Sequence, residues 1–216
     1  MTSLTEIWPL FGLTLQTPRL TLRTITDGDI PAALAAAQDG VHEPGQSPFS
    51  NPWAEARPEV MGPAMARWYW KLRAETSPTR WTLLLGIWHE DNFIGCQDVS
   101  ADDFAALKTV STGSWLQRRV HGQGLGKEMR TAVALYAFDY LGADVAKSEA
   151  ADWNGASLGV SRALGYELNG ITRKKWGNQV ETVQAVRLTP QTFKRPDWNL
   201  EVAGHEAVAA FLDIPQ

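Results

Sequence analysis

The heptapeptide His121-Gly122-Gln123-Gly124-Leu125-Gly126-Lys127 constrains what this chain can fold into more than any other segment. Its three alternate glycines lie between a β-rich run at 110–117 and a stretch at 126–141 in which Met129, Val133, Tyr136, Ala137 and Tyr140 recur at helical spacing. A strand that enters a helix through such a turn gathers several backbone N–H groups at the helix N-terminus, where their partial positive charge favours an anion. Glycines suit the turn because a side chain would block the close approach of a phosphate, and because some turn positions require positive φ. A turn that merely joins strand to helix is the competing reading.

The surrounding pattern predicts an α/β (α+β) fold. Residues 20–25 alternate apolar and polar as a half-buried strand does, and Thr26 or Asp27 can cap a helix that runs through the alanine-rich segment to Gln38, closed by Gly40. The Pro-rich stretch 44–58 is the strongest loop signal and joins this helix to a second one at 59–75, interrupted near its start by Gly62-Pro63. Runs at 81–89 and 93–99, separated by Glu90-Asp91-Asn92, read as a hairpin. Strands follow at 110–117 and 145–150, a helix at 155–164, and strands at 166–176 and 181–188. The expectation is a single domain over 1–190 with a mixed central sheet of about six to seven strands flanked by helices. Residues 191–216, marked by Pro196, read as an irregular tail with a possible short final helix.

Bulk properties narrow the function. With 216 residues the chain can bury one substantial core, and its net charge of −4 gives no global reason to bind nucleic acid or an anionic membrane, so anion recognition must be local. Arg173-Lys174-Lys175-Trp176 is a small basic-aromatic run that reads better as a solvated strand or hairpin end. Cys96 is the only cysteine, which excludes an intramolecular disulfide and suits a reducing compartment; it reads as a buried strand residue. Residues 1–20 lack the basic and apolar regions of an export signal, and no stretch approaches a membrane span, so the expected location is the cytoplasm. Several of the ten tryptophans cluster as Trp68, Trp70, Trp81 and Trp88.

Three phosphate motifs compete for the glycine turn. A P-loop needs a hydroxyl after Gly-Lys, but Glu128 follows Gly126-Lys127, and the position five before Gly126 is His121. A dinucleotide fingerprint begins well at Gly122 and Gly124 but meets Lys127 where its third glycine belongs. The third pattern, Gln/Arg-x-x-Gly-x-Gly/Ala between strand and helix, fits in two registers. Arg119 to Gly124 satisfies the letters, whereas His121 to Gly126 brings the last glycine to the helix start and is preferred, with His121 departing from the usual Gln or Arg.

Through this pattern the chain resembles the GCN5-related N-acetyltransferase (GNAT) superfamily. Downstream, Asn154-Gly155-Ala156-Ser157 followed by Leu164-Gly165-Tyr166 resembles the subgroup of ribosomal-protein N-terminal acetyltransferases, as do Thr17-Pro18-Arg19-Leu20 and Ile94-Gly95. The resemblance spans about 17–188. It implies an enzyme that uses acetyl-CoA or another acyl-CoA as co-substrate, without a metal, and passes the acyl group directly to a primary amine on a small molecule, protein or peptide. It implies a CoA cradle from Leu116, Gln117, Arg118, His121, Gly122, Gln123, Gly124, Leu125, Gly126 and Lys127. Asn154 would hold the pantetheine arm and Ser157 would protonate the departing thiolate, with helix capping the competing role for Asn154. A backbone N–H on the 110–117 strand would bind the oxyanion.

Glu149 and Asp98 are the candidate general bases, each through a water, although both are also explicable as solvated carboxylates. The amine acceptor is expected against the loop 42–53, with His42, Glu43, Phe49 and Trp53, helped by Trp68 and Trp70; a packed aromatic cluster would look the same. A dicarboxylic acyl group such as succinyl would need a cation or amide, for which Arg67 and Gln97 are candidates. A non-catalytic acyl-CoA sensor is the alternative to an enzyme, and monomer and homodimer both remain open.

Overall fold

The computed structural model describes residues 1–45 and 47–214; Gln46, within the loop 42–53, and residues 215 and 216 of the tail lie outside the described residues. In chain order the elements are α1 (Leu4–Ile7), β1 (Thr14–Gln16), β2 (Leu20–Thr24), α2 (Ile30–Gln38), α3 (Pro58–Ala74), β3 (Arg80–His89), β4 (Asn92–Asp102), α4 (Phe104–Leu107) and β5 (Thr109–Leu116). They continue with α5 (Leu125–Leu135), β6 (Val145–Ala151), α6 (Gly155–Leu164), β7 (Glu167–Trp176), β8 (Gln179–Leu188), β9 (Glu201–Ala203) and α7 (His205–Phe211).

The strands form one mixed sheet in the order β7-β8-β6-β5-β4-β3-β2-β1-β9. The described residues thus hold nine strands, not six to seven. The two additional strands, β1 and β9, are three residues each, too short for alternation to reveal, and they pair antiparallel to each other at the sheet edge. Residues 191–214 accordingly supply an edge strand and α7, whose Val208 and Ala209 enter the main core with Leu212 and Ile214.

Period-two alternation sends the strand side chains to two separate cores. On one face Leu22, Leu83, Leu85 and Ile87 pack with Met129, Val133 and Tyr136 of the central helix and with Leu158 and Leu164 of α6. On the other face Cys96 and Phe93 pack with Ala33 and Ala37 of α2 and with Met61, Met65 and Tyr69 of α3, joined by Trp53, Trp88 and Trp115. The hairpin between β3 and β4 turns through Glu90 and Asp91, both at positive φ, and Asn92 already belongs to the second strand. The helix expected at 126–141 is regular only to Leu135. It widens into a π turn over Tyr136–Tyr140, closed by Leu141 N–H on the Tyr136 carbonyl at 3.0 Å. The helix at 58–74 runs through Pro63 unbroken.

One pairing governs the site. Strands β5 and β6 run parallel, and their pairing covers only Thr109 with Val145, Val110 with Ala146, and Ser111 with Lys147. Beyond it β5 stays with β4 as far as Leu116 and β6 stays with β8 as far as Ala151, so the sheet opens into a V.

Candidate active site

The far end of β5 leads through a short 3-10 turn, Arg118–Val120, into the glycine segment and α5. Gly122 and Gly124 take φ of +75° and +79°, values that L side chains rarely adopt, and Gly124 caps the helix. The first α5 bond runs from Glu128 N–H to the Gly124 carbonyl at 3.1 Å. Ahead of it, the N–H groups of Gly122, Gln123, Gly124, Leu125, Gly126 and Lys127 have no acceptor among the described residues, which leaves a nest of donors at the positive end of a buried helix.

Side chains around this nest hold it instead of filling it. The His121 ring donates from Nε2 to the Leu116 carbonyl at 3.0 Å, tying turn to strand. Gln117 N–H bonds the Ile94 carbonyl, Arg118 N–H bonds the Gly40 carbonyl, and the Arg118 guanidinium pairs with Glu43 at 2.9 Å. Leu116 and Gln117 are buried. The expected cradle residues are therefore contiguous, but Leu116, Gln117, Arg118 and His121 brace the site while Gly122 to Lys127 offer free N–H groups.

An anchor that sequence reasoning missed comes from Glu128. Its buried carboxylate accepts from Thr17 Oγ1 at 2.7 Å, Arg19 N–H at 2.9 Å and Arg19 Nε at 2.6 Å, while Arg19 Nη1 donates to the Gln123 carbonyl at 3.1 Å. Thr17-Pro18-Arg19, which the sequence presents only as a resemblance, clamps the glycine turn to the connection between β1 and β2. By sequence Glu128 stands out only as the residue that fails the P-loop pattern.

On the other arm of the V, Asn154 caps α6, its Oδ1 accepting from Ser157 N–H at 3.1 Å. Its side-chain amide N–H groups and the Ser157 hydroxyl have no protein partner among the described residues, so capping leaves both free to meet a ligand.

The two candidate bases have different surroundings. Glu149 is bonded to Lys174 of β7 at 2.5 Å, half exposed, its charge already matched. Asp98 stands on β4 opposite Gly113 of β5, accepts a single N–H from Gly113 at 3.0 Å, and has its pKa pushed up to about 7 by burial, opposed by that N–H and by the Arg130 charge. A Cβ at position 113 would lie 2.8 Å from Asp98 Oδ2, so the glycine makes room for the carboxylate. Strand alternation puts Asp98 on the face of Cys96 and Trp115, the face covered by α2, α3 and the Pro-rich loop.

That loop lies over an aromatic chain. Phe49 contacts the His42 ring at 6.1 Å between centroids and Trp53 at 5.4 Å; Trp53 meets Trp115 at 5.5 Å. The loop is pinned by the β7–β8 hairpin tip, with Trp176 Nε1 on the Ser47 carbonyl at 3.0 Å and Gly177 N–H on the Ser50 carbonyl at 2.8 Å. His42, Phe49 and Trp53 are thus brought together, whereas Glu43 turns out to Arg118. Trp68 and Trp70 do not join this wall: each is about half exposed on the outer face of α3, Trp68 beneath Lys71 and Trp70 donating to Asp27. Arg67 is exposed, and Gln97 is fully buried with its amide on the Asp98 and Gly113 carbonyls, so neither is presented to an acyl chain.

No cluster of three or more His, Cys, Asp or Glu is placed to hold a metal among the described residues, and no described helix is long and apolar enough to cross a membrane.

Comparison with known proteins places this arrangement. Similar solved structures include Mycobacterium smegmatis RimJ in complex with CoA-disulfide, with a TM-score of 0.71 at 17% identity over 94% of this chain and 95% of that one. A GCN5-related N-acetyltransferase from Brucella melitensis gives 0.67 at 16% identity over 92% and 85%. RimL, a ribosomal L7/L12 alpha-N-protein acetyltransferase in complex with coenzyme A, gives 0.61 at 14% identity over 80% and 95%. These likenesses establish the shared fold. The family model for the acetyltransferase (GNAT) domain matches residues 19–167, and the chain, with its split sheet and glycine-capped helix, belongs to the GNAT acetyltransferase family.

Proposed function

We propose that this protein transfers an acetyl or another short acyl group from a CoA thioester to a primary amine by direct attack, with the pyrophosphate on the N–H groups of Gly122 to Lys127. The carrying observation is the V between β5 and β6, which begins after Ser111 and Lys147 and has the donor nest at the end of one arm and Asn154 with Ser157 at the end of the other. A pantetheine arm entering the V finds unpaired β5 backbone along its length, so a thioester carbonyl can take the N–H that parallel pairing would have used.

Asp98 is the favoured base. It lies on β4, across β5 from the split, on the aromatic face, is not paired to a cation within bonding distance, and carries a pKa of about 7, where a base both holds and releases a proton at neutral pH. Glu149 is better read as a structural partner of Lys174. The amine nitrogen attacks the thioester carbon and forms the C–N bond, and its proton passes through a water to Asp98. The oxyanion then collapses, the C–S bond breaks with its electron pair on sulfur, and Ser157 donates a proton to that sulfur. Net, one proton leaves nitrogen and one reaches sulfur; Asp98 and Ser157 recover by exchange with solvent. The acceptor amine is proposed to lie against Phe49, Trp53 and Trp115, and the class of acceptor includes small amines and peptide or protein amines.

The test is CoA-thiol release from acetyl-CoA and succinyl-CoA across an amine panel, alongside calorimetric CoA binding to Gly124→Asp. Turnover by the native protein with loss of CoA binding in the variant is expected. Unchanged binding in a folded Gly124→Asp protein overturns the cradle, and binding without turnover points to a sensor.

A further inference from the structure

Arg130 lies on α5 and is only 6% exposed, yet every bond it makes is to a neutral oxygen. Nη2 donates to Ser148 Oγ at 2.6 Å, and Ser148 Oγ donates onward to the Thr112 carbonyl at 3.1 Å. Nη1 donates to Ser161 Oγ at 2.9 Å and to the Ser157 carbonyl at 3.2 Å, and Ser161 Oγ adds a second bond to that carbonyl at 3.0 Å. The guanidinium carbon sits 5.5 Å from the Tyr166 ring centroid, and Nε is buried without an acceptor.

Two features make this more than core filling. The first is position. Ser148 and Thr112 are the first residues past the last parallel pair, so the chain from Arg130 through Ser148 to Thr112 spans the crotch of the V and ties its arms with side chains where backbone pairing stops. The second is energetics. Burying a guanidinium, which stays charged, with no carboxylate in contact and Asp98 acting on it only at a distance is expensive, and a well-packed apolar residue of similar volume is often equally or more stabilising at such a place. A fork that bonds two elements at once supplies geometry that an apolar residue does not.

The consequence falls on Ser157. Its N–H is held by Asn154 and its carbonyl by Arg130 and Ser161, so its backbone is fixed on both sides while its hydroxyl is left without a protein partner. Resting on the acyl-transfer reading above, we propose that Arg130 is a positioning residue that fixes the Ser157 hydroxyl relative to the β5–β6 split, so that it meets the leaving sulfur.

The experiment compares Arg130→Met, Arg130→Lys, Ser157→Ala and the Arg130→Met/Ser157→Ala pair, with kcat and KM measured separately and thermal midpoints recorded. Arg130→Met is expected to lower kcat about a hundredfold, the cost of misplacing a reacting group by roughly 1 Å, with KM for acyl-CoA changed less than about threefold. Arg130→Lys, which keeps the charge and one donor position but loses the fork, should recover part of kcat. In the Ser157→Ala background, at a pH above the Asp98 titration so that loss of the Arg130 charge near that carboxylate does not enter, Arg130→Met should have no further effect on kcat, since residues that act as a unit are not additive. Native kcat in a folded Arg130→Lys or Arg130→Met protein, or losses that simply multiply in the pair, overturn the proposal. If Arg130→Met does not fold, Arg130→Lys and its pairing with Ser157→Ala carry the same comparison. A native protein that binds CoA but transfers no acyl group fails the acyl-transfer reading, a result distinct from an active protein indifferent to Arg130.

Discussion

At Asp98 two requirements pull in opposite directions. Burial raises the pKa to about 7, so the folded protein holds a proton there that the unfolded chain has already released; stability therefore falls as pH rises from the ordinary carboxylate range through about 7. The same shift leaves a carboxylate able to accept a proton near neutrality. Asp98→Asn, which can still accept the Gly113 N–H, should be more stable than the native protein at pH 8, by about 4 kcal/mol as an upper bound, and not at pH 3. It should also lose about 10²–10⁴ in kcat/KM. The native kcat/KM should rise with pH through an acid limb near 7 that the variant lacks. A variant that keeps the limb would assign it to another group. The sequence offered Asp98 and Glu149 as equals. What separates them is Lys174 on a strand 25 residues from Glu149, a pairing no local pattern encodes.

At the scale of elements, what the sequence made legible is what short-range periodicity writes. The strands expected at 20–25, 81–89 and 93–99, the helix at 155–164 and the strand–turn–helix around Gly122 all follow from alternation, helical spacing and punctuation by glycine and proline, although β4 runs on to Asp102. Glu128 illustrates the opposite case. Its partner Thr17 lies 111 positions away, and a carboxylate in the first turn of a helix reads as dipole compensation until the fold brings Thr17 and Arg19 to it. Glu128→Ala strips the acceptor from the Arg19 N–H and the shorter of two acceptors from the buried Thr17 hydroxyl, which keeps the Leu20 carbonyl at 3.2 Å. Discounted for the half-exposed Arg19, it should cost about 2–3 kcal/mol by chemical denaturation. It should also raise KM for acyl-CoA more than it changes kcat, because the loosened turn is the phosphate nest. Trp176 is the corresponding element-scale anchor on the acceptor side. Trp176→Phe keeps the ring but removes the donor to the Ser47 carbonyl, and should raise KM for the amine severalfold with acyl-CoA binding measured by calorimetry unchanged. An equal effect on both substrates would mean that the loop does not separate them.

Across the whole molecule, the V shape needs an explanation in packing, since two parallel strands left to themselves would continue to pair. Each arm has a stronger claim on it from outside: β5 pairs with β4 over six positions and β6 with β8 over six, against three between the arms. The side chains of Arg130 and Ser148 meet the Thr112 carbonyl at the branch point. The arms are then held by two half-molecules that must themselves be firm. On the β5 side that firmness extends to the sheet edge, where β1 pairs β9 and α7 covers the core beneath. Residues 191–214, which sequence patterning reads as an irregular tail with a possible short final helix but without β9, because a three-residue strand has no period, close that end. Leu212 is 1% exposed within the main core, so Leu212→Ala should cost about 2–5 kcal/mol, with the lower end expected if α7 settles into the space. Removing everything after Leu188 would uncover the β1 edge and the core side chains beneath α7 together. The truncated chain should therefore lose cooperative thermal unfolding and bind dyes that report exposed apolar surface. A truncated protein with a sharp native-like transition and full acyl-CoA affinity would mean that the sheet is complete without its last strand, and that the V is held from the β6–β8 side and the branch point alone.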